Sequence, residues 1–322
     1  MSRTYYLFTP GRLRRKENTL AFESGEGRRI IPVEDVDHIY CFSELDLNTK
    51  LLDFLGQSQI ALHFFDYYGN YTGSFIPREA QLSGYLVVKQ VEHYINDEKR
   101  LTLARTIVEG AMHNIRRNLE KRALDSICEQ IDIYRQVLRN ATTIQEVMSI
   151  EAHVRKLYYS QWEDITGWEF GARSKRPPTN ALNALLSFGN AMTYTTVLKE
   201  IHKTALNPTI SYLHEPSERR YSLSLDISEI FKPVFVDRLI FKLINLNMIT
   251  EQHFDRNVNF AYLTPQGRKI FVAEFEQLME KTILHRNLKR NIRYKSLIRL
   301  DLYKLIKHLL DESQYTPMKV WW

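Results

Sequence analysis

His63-Phe64-Phe65-Asp66-Tyr67-Tyr68-Gly69-Asn70-Tyr71-Thr72-Gly73-Ser74-Phe75-Ile76-Pro77 is the last strand-like stretch of this 322-residue chain. Two β-prone runs, His63 to Tyr68 and Tyr71 to Phe75, flank Gly69-Asn70, a dipeptide that favours a two-residue hairpin turn. Upstream, Tyr5-Tyr6-Leu7-Phe8, Thr19-Leu20-Ala21-Phe22 and Ile30-Ile31-Pro32-Val33 are further short β-prone runs. One helix, roughly Leu47 to Gln57, interrupts them. After Pro77 the apolar period becomes about 3.6, with few breakers until Pro177-Pro178. Helices are expected over 88–140, 143–162, 180–206, 233–248 and 266–312. The chain therefore reads as α+β: a small β-rich N-terminal domain over 1–80 and a larger all-α C-terminal domain over 81–322.

Composition narrows the class. Apolar and charged residues make up 44% and 25% of the chain, ordinary values for a globular protein and too apolar for wholesale disorder. A net charge of +6 favours polyanionic partners such as DNA. Cys41 and Cys128 lie far apart in no ligand-spaced motif, which suits a reducing compartment and excludes a disulfide framework. No apolar run approaches a membrane span, and the early Arg3, Arg12, Arg14, Arg15 and Lys16 leave no signal-peptide core. A cytoplasmic protein with no membrane partner is expected.

The candidate chemistry lies in the helical part. From Thr143 to Trp162, Val147, Met148, Val154 and Tyr158 form one apolar stripe, and Glu151 falls within it. A carboxylate there is costly to desolvate and calls for a cation, a donor or a metal. Its plain alternative is a helix pair with Arg155 one turn later. Downstream lie Leu213-His214-Glu215 and Asp226-Ile227-Ser228-Glu229. His214 beside Pro216 also reads as a loop histidine, and Asp-x-x-Glu before an apolar run also reads as a capping box with Asp226 as N-cap.

As a set these residues are coherent. A Glu/His/Glu or Glu/His/Asp set drawn from Glu151, His214, Asp226 and Glu229 offers oxygen and nitrogen donors suited to Mg2+ or Mn2+. Such an ion polarises a phosphate and activates an attacking water or 3′-hydroxyl. No serine or cysteine is placed beside a base, and neither a Walker loop nor a GxGxxG stands in the chain. Basic residues accompany the set. Arg173, Lys175 and Arg176 precede Pro177-Pro178 in a loop, and Arg286, Lys289, Arg290 and Arg293 share one face of an expected helix, which is equally an ordinary solvated face. Tyr158, Tyr159, Trp162 and Trp168 are candidates for base stacking, with core packing as the default.

Arg176-Pro177-Pro178 followed by Asn183-Ala184-Leu185-Leu186-Ser187-Phe188-Gly189 resembles the signature of the CRISPR-associated protein one family, the integrase of CRISPR adaptation. Glu151 with Tyr158, Leu213-His214-Glu215, and Asp226 to Pro233 resemble that family's remaining marks, in its order. The resemblance implies a homodimer formed through the β-rich domain and a smaller partner, CRISPR-associated protein two. It also implies insertion of short DNA into the CRISPR array by 3′-hydroxyl attack, with nuclease activity on branched DNA. Carried over, Glu151, His214 and Glu229 are metal ligands and Asp226 a further acidic group. The DNA-binding set is Tyr158, Arg173, Lys175, Arg176, Lys232, Lys289, Arg290 and Arg293. Ala152, His153-Val154, Thr179-Asn180 and Lys232 depart from the family's usual residues without removing a ligand. Two other readings stay open: a structure-specific DNA-repair endonuclease with the same site, and a non-catalytic DNA-binding scaffold.

Overall fold

The computed structural model describes residues 3–77, 82–175, 177–218, 220–257 and 260–322. The chain divides into two compact units, Met1–Ala80 and Gln81–Trp322. It is α+β, with a sheet-rich first unit and a mainly helical second.

In the first unit, β1 (Arg3–Leu7), β5 (Val36–Cys41), β7 (Ala61–Phe65) and β8 (Tyr71–Phe75) form one sheet in the order β1-β5-β7-β8. The pairs β1/β5 and β5/β7 are parallel, and β7/β8 is antiparallel. A second sheet has the order β4-β3-β2-β6, from β2 (Gly11–Lys16), β3 (Thr19–Ser24), β4 (Gly27–Pro32) and β6 (Leu45–Asp46). Alternate residues such as Tyr5 and Leu7, Leu20 and Phe22, and Ile39 and Cys41 meet Leu51, Phe54 and Leu55 of α1 (Thr49–Gln57) in one core. The hairpin expected around Gly69-Asn70 exists, but its loop runs from Asp66 to Asn70. Asp66 caps that loop, accepting from the Tyr68 and Asn70 amides at 2.9 and 2.8 Å, and Gly69 takes φ +82°. Strand β2 escaped the sequence reading because only Leu13 of its residues is buried, while Arg14 pairs across the ladder with Glu23 at 2.5 Å.

In the second unit the expected 88–140 helix is three helices, α2 (Gly84–Ile95), α3 (Asp97–Glu120) and α4 (Asp125–Asn140). Asn96 breaks the first junction by capping α3, accepting from the Lys99 amide at 2.9 Å, and Ala123 breaks the second at φ +54°. Then follow α5 (Ile144–Tyr159), α6 (Trp162–Thr166), α7 (Ala181–Ile201), α8 (Ser222–Lys232), a π-helical turn (Pro233–Asp237) and α9 (Arg238–Asn245). The 266–312 helix is likewise interrupted. After β9 (Phe254–Asn257), β10 (Phe260–Leu263) and α10 (Pro265–Glu280), the chain forms a hairpin of β11 (Thr282–Leu284) and β12 (Asn291–Arg293) before α11 (Tyr294–Leu309). Among the described residues no helix is long and apolar enough to cross a membrane.

Helix α7 is buried nearly all round, as a helix without a polar face must be. It packs on α8, α11 and the π turn. A Cβ at Gly189 would come within 2.5 Å of Val236 Cγ1 and 2.9 Å of Phe271 Cζ. Gly189→Ala gains up to about 1 kcal/mol of helix propensity, but overpacking costs about 1–3 kcal/mol. The expected net loss is about 1 kcal/mol or more, read as a lower denaturation midpoint; an unchanged or higher midpoint contradicts the close approach.

Candidate functional site

Helix α5 starts at Thr143, whose side chain accepts from the Glu146 amide at 3.2 Å. Its buried stripe is Val147, Ile150, Val154 and Tyr158, with Met148 turned to solvent at 42% exposure, so the stripe assigned from sequence is rotated by one position. Glu151 flanks that stripe and accepts from Arg155 Nε at 2.8 Å, as the helix-pair reading expected. Arg155 does more. Its terminal Nη2 donates to Glu229 Oε2 on α8, so one guanidinium spans two carboxylates from separate helices.

Asp226 and Glu229 do not cap α8. The helix begins a full turn earlier, at Ser222 after Tyr221, because Leu223, Ile227, Ile230 and Phe231 form its buried stripe. Both acids therefore sit mid-helix. Asp226 is fully buried, and four donors satisfy it: the amides of Tyr212, Leu213 and His214 at 2.6, 2.9 and 3.0 Å, and His214 Nδ1 at 2.8 Å. Each Asp226 oxygen thus receives two donors. Asp226 fixes the Nδ1–H tautomer of His214 and leaves Nε2 free, the arrangement usual for metal-binding imidazoles. Burial lowers the His214 pKa, but the Asp226 hydrogen bond and charge outweigh it and leave it raised. Glu215 faces elsewhere, accepting from Arg100 and the Tyr94 hydroxyl at 2.9 and 2.8 Å.

Glu229 also pairs with Lys232 Nζ at 2.5 Å. Burial would raise its pKa, yet Lys232, Arg155 and His214 hold it below the usual carboxylate range. Among the described residues no three His, Cys, Asp or Glu side chains are grouped closely enough to hold a metal ion as they stand. The acids are held by cations instead.

Residues 5–277 match the profile of the family described as CRISPR associated protein Cas1. The chain belongs to the Cas1 family. A "CRISPR-associated endonuclease Cas1 2" of Moorella thermoacetica is 74% identical, with 99% of this chain and all of that relative covered. A Cas1 protein from Thermotoga maritima is 42% identical with a TM-score of 0.90, covering 98% of this chain and 100% of the other. A casposase bound to integration product shares the fold at 18% identity and TM-score 0.86, covering 99% of this chain and 94% of the other.

The remaining Cas1 expectations divide. Tyr158 is fully buried with its hydroxyl against Asn118 Nδ2 at 3.2 Å, so it packs the core and cannot stack on a base. Arg173 is half-buried and binds Asn183 Oδ1 and Ser187 Oγ at 2.9 and 3.1 Å, bracing the loop before α7. Lys175 is exposed, whereas Arg176 lies outside the described residues. Lys289, Arg290 and Arg293 do not share a helix face: Lys289 and Arg290 lie in the β11–β12 turn, where Lys289 adopts φ +52°, and Arg293 pairs with Glu280 at 3.1 Å.

Asp237 was missed, although a lone acid after Val234-Phe235-Val236 is the same signal that singled out Glu151. It ends the π turn fully buried, with the Tyr158 hydroxyl as a neighbour that lowers its pKa. Burial pushes its pKa up to about 7, against the pull of Arg155 and Lys232. A folded-state pKa above the unfolded one near 3.8 means that the folded protein binds the extra proton, so stability falls as pH rises between these values. Asp237→Asn removes that slope. Its stability relative to wild type, from urea unfolding, should grow from pH 5 to about 7 and then level; a pH-independent difference refutes the raised pKa.

Proposed function

We propose that this chain is a metal-dependent DNA endonuclease and strand-transfer integrase. It inserts short DNA spacers into a CRISPR array through 3′-hydroxyl attack on a phosphodiester. The observation that carries this reading is the convergence of Glu151 and Glu229 on one cationic group, with His214 fixed through Nδ1 in the field of Glu229 and Lys232. Two carboxylates and an imidazole are a donor set that fits Mg2+ or Mn2+, and Glu151, His214 and Glu229 are the residues that would hold the ion. Bound there, it supplies phosphate polarisation and a lowered pKa for the attacking hydroxyl.

The chain's own groups do the rest. Asp226 holds the His214 ring in one tautomer and ties residues 212–214 to α8. Arg155 and Lys232 compensate Glu229 and, once exchanged from it, place positive charge for the phosphate. Lys175 adds a cation in the field of Lys232 and Arg173, and Lys289 and Arg290 extend the DNA contact. The family resemblance further supports a homodimer through residues 1–80, CRISPR-associated protein two as partner, and action in the cytoplasm.

One observation favours a second reading. Acids already saturated by Arg155 and Lys232 are also what a non-catalytic DNA-binding scaffold would show. Strand transfer of a labelled short duplex into a repeat-bearing plasmid with Mn2+, with and without the partner protein, separates these outcomes. Wild type should give joined product, and His214→Ala should lose it by about 100-fold or more, as expected when a metal ligand is removed. Nicking without joining supports a repair endonuclease, and DNA binding with no reaction supports the scaffold.

A further inference from the structure

Asp237 closes the π turn that follows α8, and its side chain is fully buried. A carboxylate taken out of water calls for a close cation. Four cations lie within its field: Arg155 on α5, Lys232 on α8, Arg122 just beyond α3 and Arg173 ahead of α7. Among the described residues none of the four donates to it. Its polar neighbour is the Tyr158 hydroxyl, on α5 one helical turn from Arg155. Tyr159 and Glu229 complete the titratable groups around it.

Each cation is engaged elsewhere, and the four differ in what an incoming ion would do to them. Arg122 donates to the Asn118 carbonyl at 2.7 Å and lies over the Phe241 ring, and Arg173 donates to Asn183 Oδ1 at 2.9 Å and Ser187 Oγ at 3.1 Å. None of these partners is a metal-ligand candidate. Lys232 holds Glu229 from a half-buried position, where water or a phosphate can take it over. Arg155 is buried, and its carboxylate partners are Glu151 and Glu229. An ion that takes those two acids leaves the guanidinium buried without a counter-charge, a costly state. Of the charged groups around Asp237, Arg155 exerts the strongest pull on it. The charge balance agrees. Glu151 and Glu229 cancel Arg155 and Lys232, so a divalent ion adds two positive charges, one for the Asp237 carboxylate and one for a phosphodiester.

We propose that Asp237 is a reserve counter-ion, the acid that receives the Arg155 guanidinium when a divalent ion takes Glu151 and Glu229. This rests on the metal site of the proposed function. Asp237 acts through Arg155 and is a positioning residue. Mn2+ affinity of the full chain, read from the spin-resonance signal of free Mn2+ at about pH 8, above the Asp237 pKa of about 7, tests it. Asp237→Asn should weaken Mn2+ binding about tenfold or more, as loss of an outer carboxylate does. In Arg155→Met no guanidinium needs a new partner, and there the same substitution should leave the affinity within about twofold. Melting temperatures establish that each variant folds. If Arg155→Met does not fold, the Arg155 Nε–H resonance decides: Mg2+ should move it to one new position in the wild type and not in Asp237→Asn, and a matching shift in both overturns the proposal. Equal Mn2+ affinity in wild type and Asp237→Asn overturns it while leaving the metal site standing. An equal loss in the Arg155→Met background also overturns it, because a merely structural role would act in both. Failure of the wild type to bind Mn2+, or binding that His214→Ala does not weaken, removes the metal site and the proposal with it.

Discussion

The Arg155 guanidinium between Glu151 and Glu229 joins α5 to α8, and the rest of the site is registered on that join. Taking charges out of water is expensive, and a buried pair repays it only with close geometry and further hydrogen bonds. Here the second oxygen of Glu229 is met by Lys232, so the acid is satisfied on both sides. Removing one partner of such a pair costs about 3–5 kcal/mol, because the other is left buried and uncompensated. The clamp therefore holds Glu229 ionised and both acids in place. On the proposed function, a divalent ion would take these acids over from Arg155 and Lys232.

A second constraint acts through Asp226. Its four hydrogen bonds tie the backbone of Tyr212 to His214 to the middle of α8, one turn from Glu229. A loop histidine thereby acquires a fixed ring orientation without belonging to a helix or strand. Helix α8 thus carries Glu229 directly, holds His214 through Asp226, and reaches Glu151 through Arg155. The nearly all-buried α7 beneath it and the close approach at Gly189 give α8 and the π turn a rigid support.

Much of this was legible in the sequence, for identifiable reasons. A change from alternation to helical periodicity after Pro77 reports a change of architecture, because side-chain direction alternates along strands and turns about 100° per helical residue. Glu151 stood out because it fell within an apolar stripe, which the structure shows it flanking. Asp226 and Glu229 were noticed for the right segment but placed in the wrong part of the helix, since Asp-x-x-Glu spacing is common to capping boxes and to one face of a helix interior. The β11–β12 turn was hidden because Arg286, Lys289, Arg290 and Arg293 fall at i, i+3, i+4 and i+7, the spacing of one helix face. Arg155's reach to Glu229 could not be read from local spacing at all; it depends on how α5 and α8 pack. Motif order, by contrast, led directly to the Cas1 family, which the profile match and close relatives then established.

On the proposed function, His214 and the clamped carboxylates form one metal site. Electron spin-echo spectroscopy of Mn2+ bound to the full chain tests it without relying on catalysis. The account predicts nitrogen coupling from a single imidazole, lost in His214→Ala while the variant still folds. A bound-Mn2+ spectrum free of nitrogen coupling in the wild-type protein, or coupling that persists in His214→Ala, would contradict it.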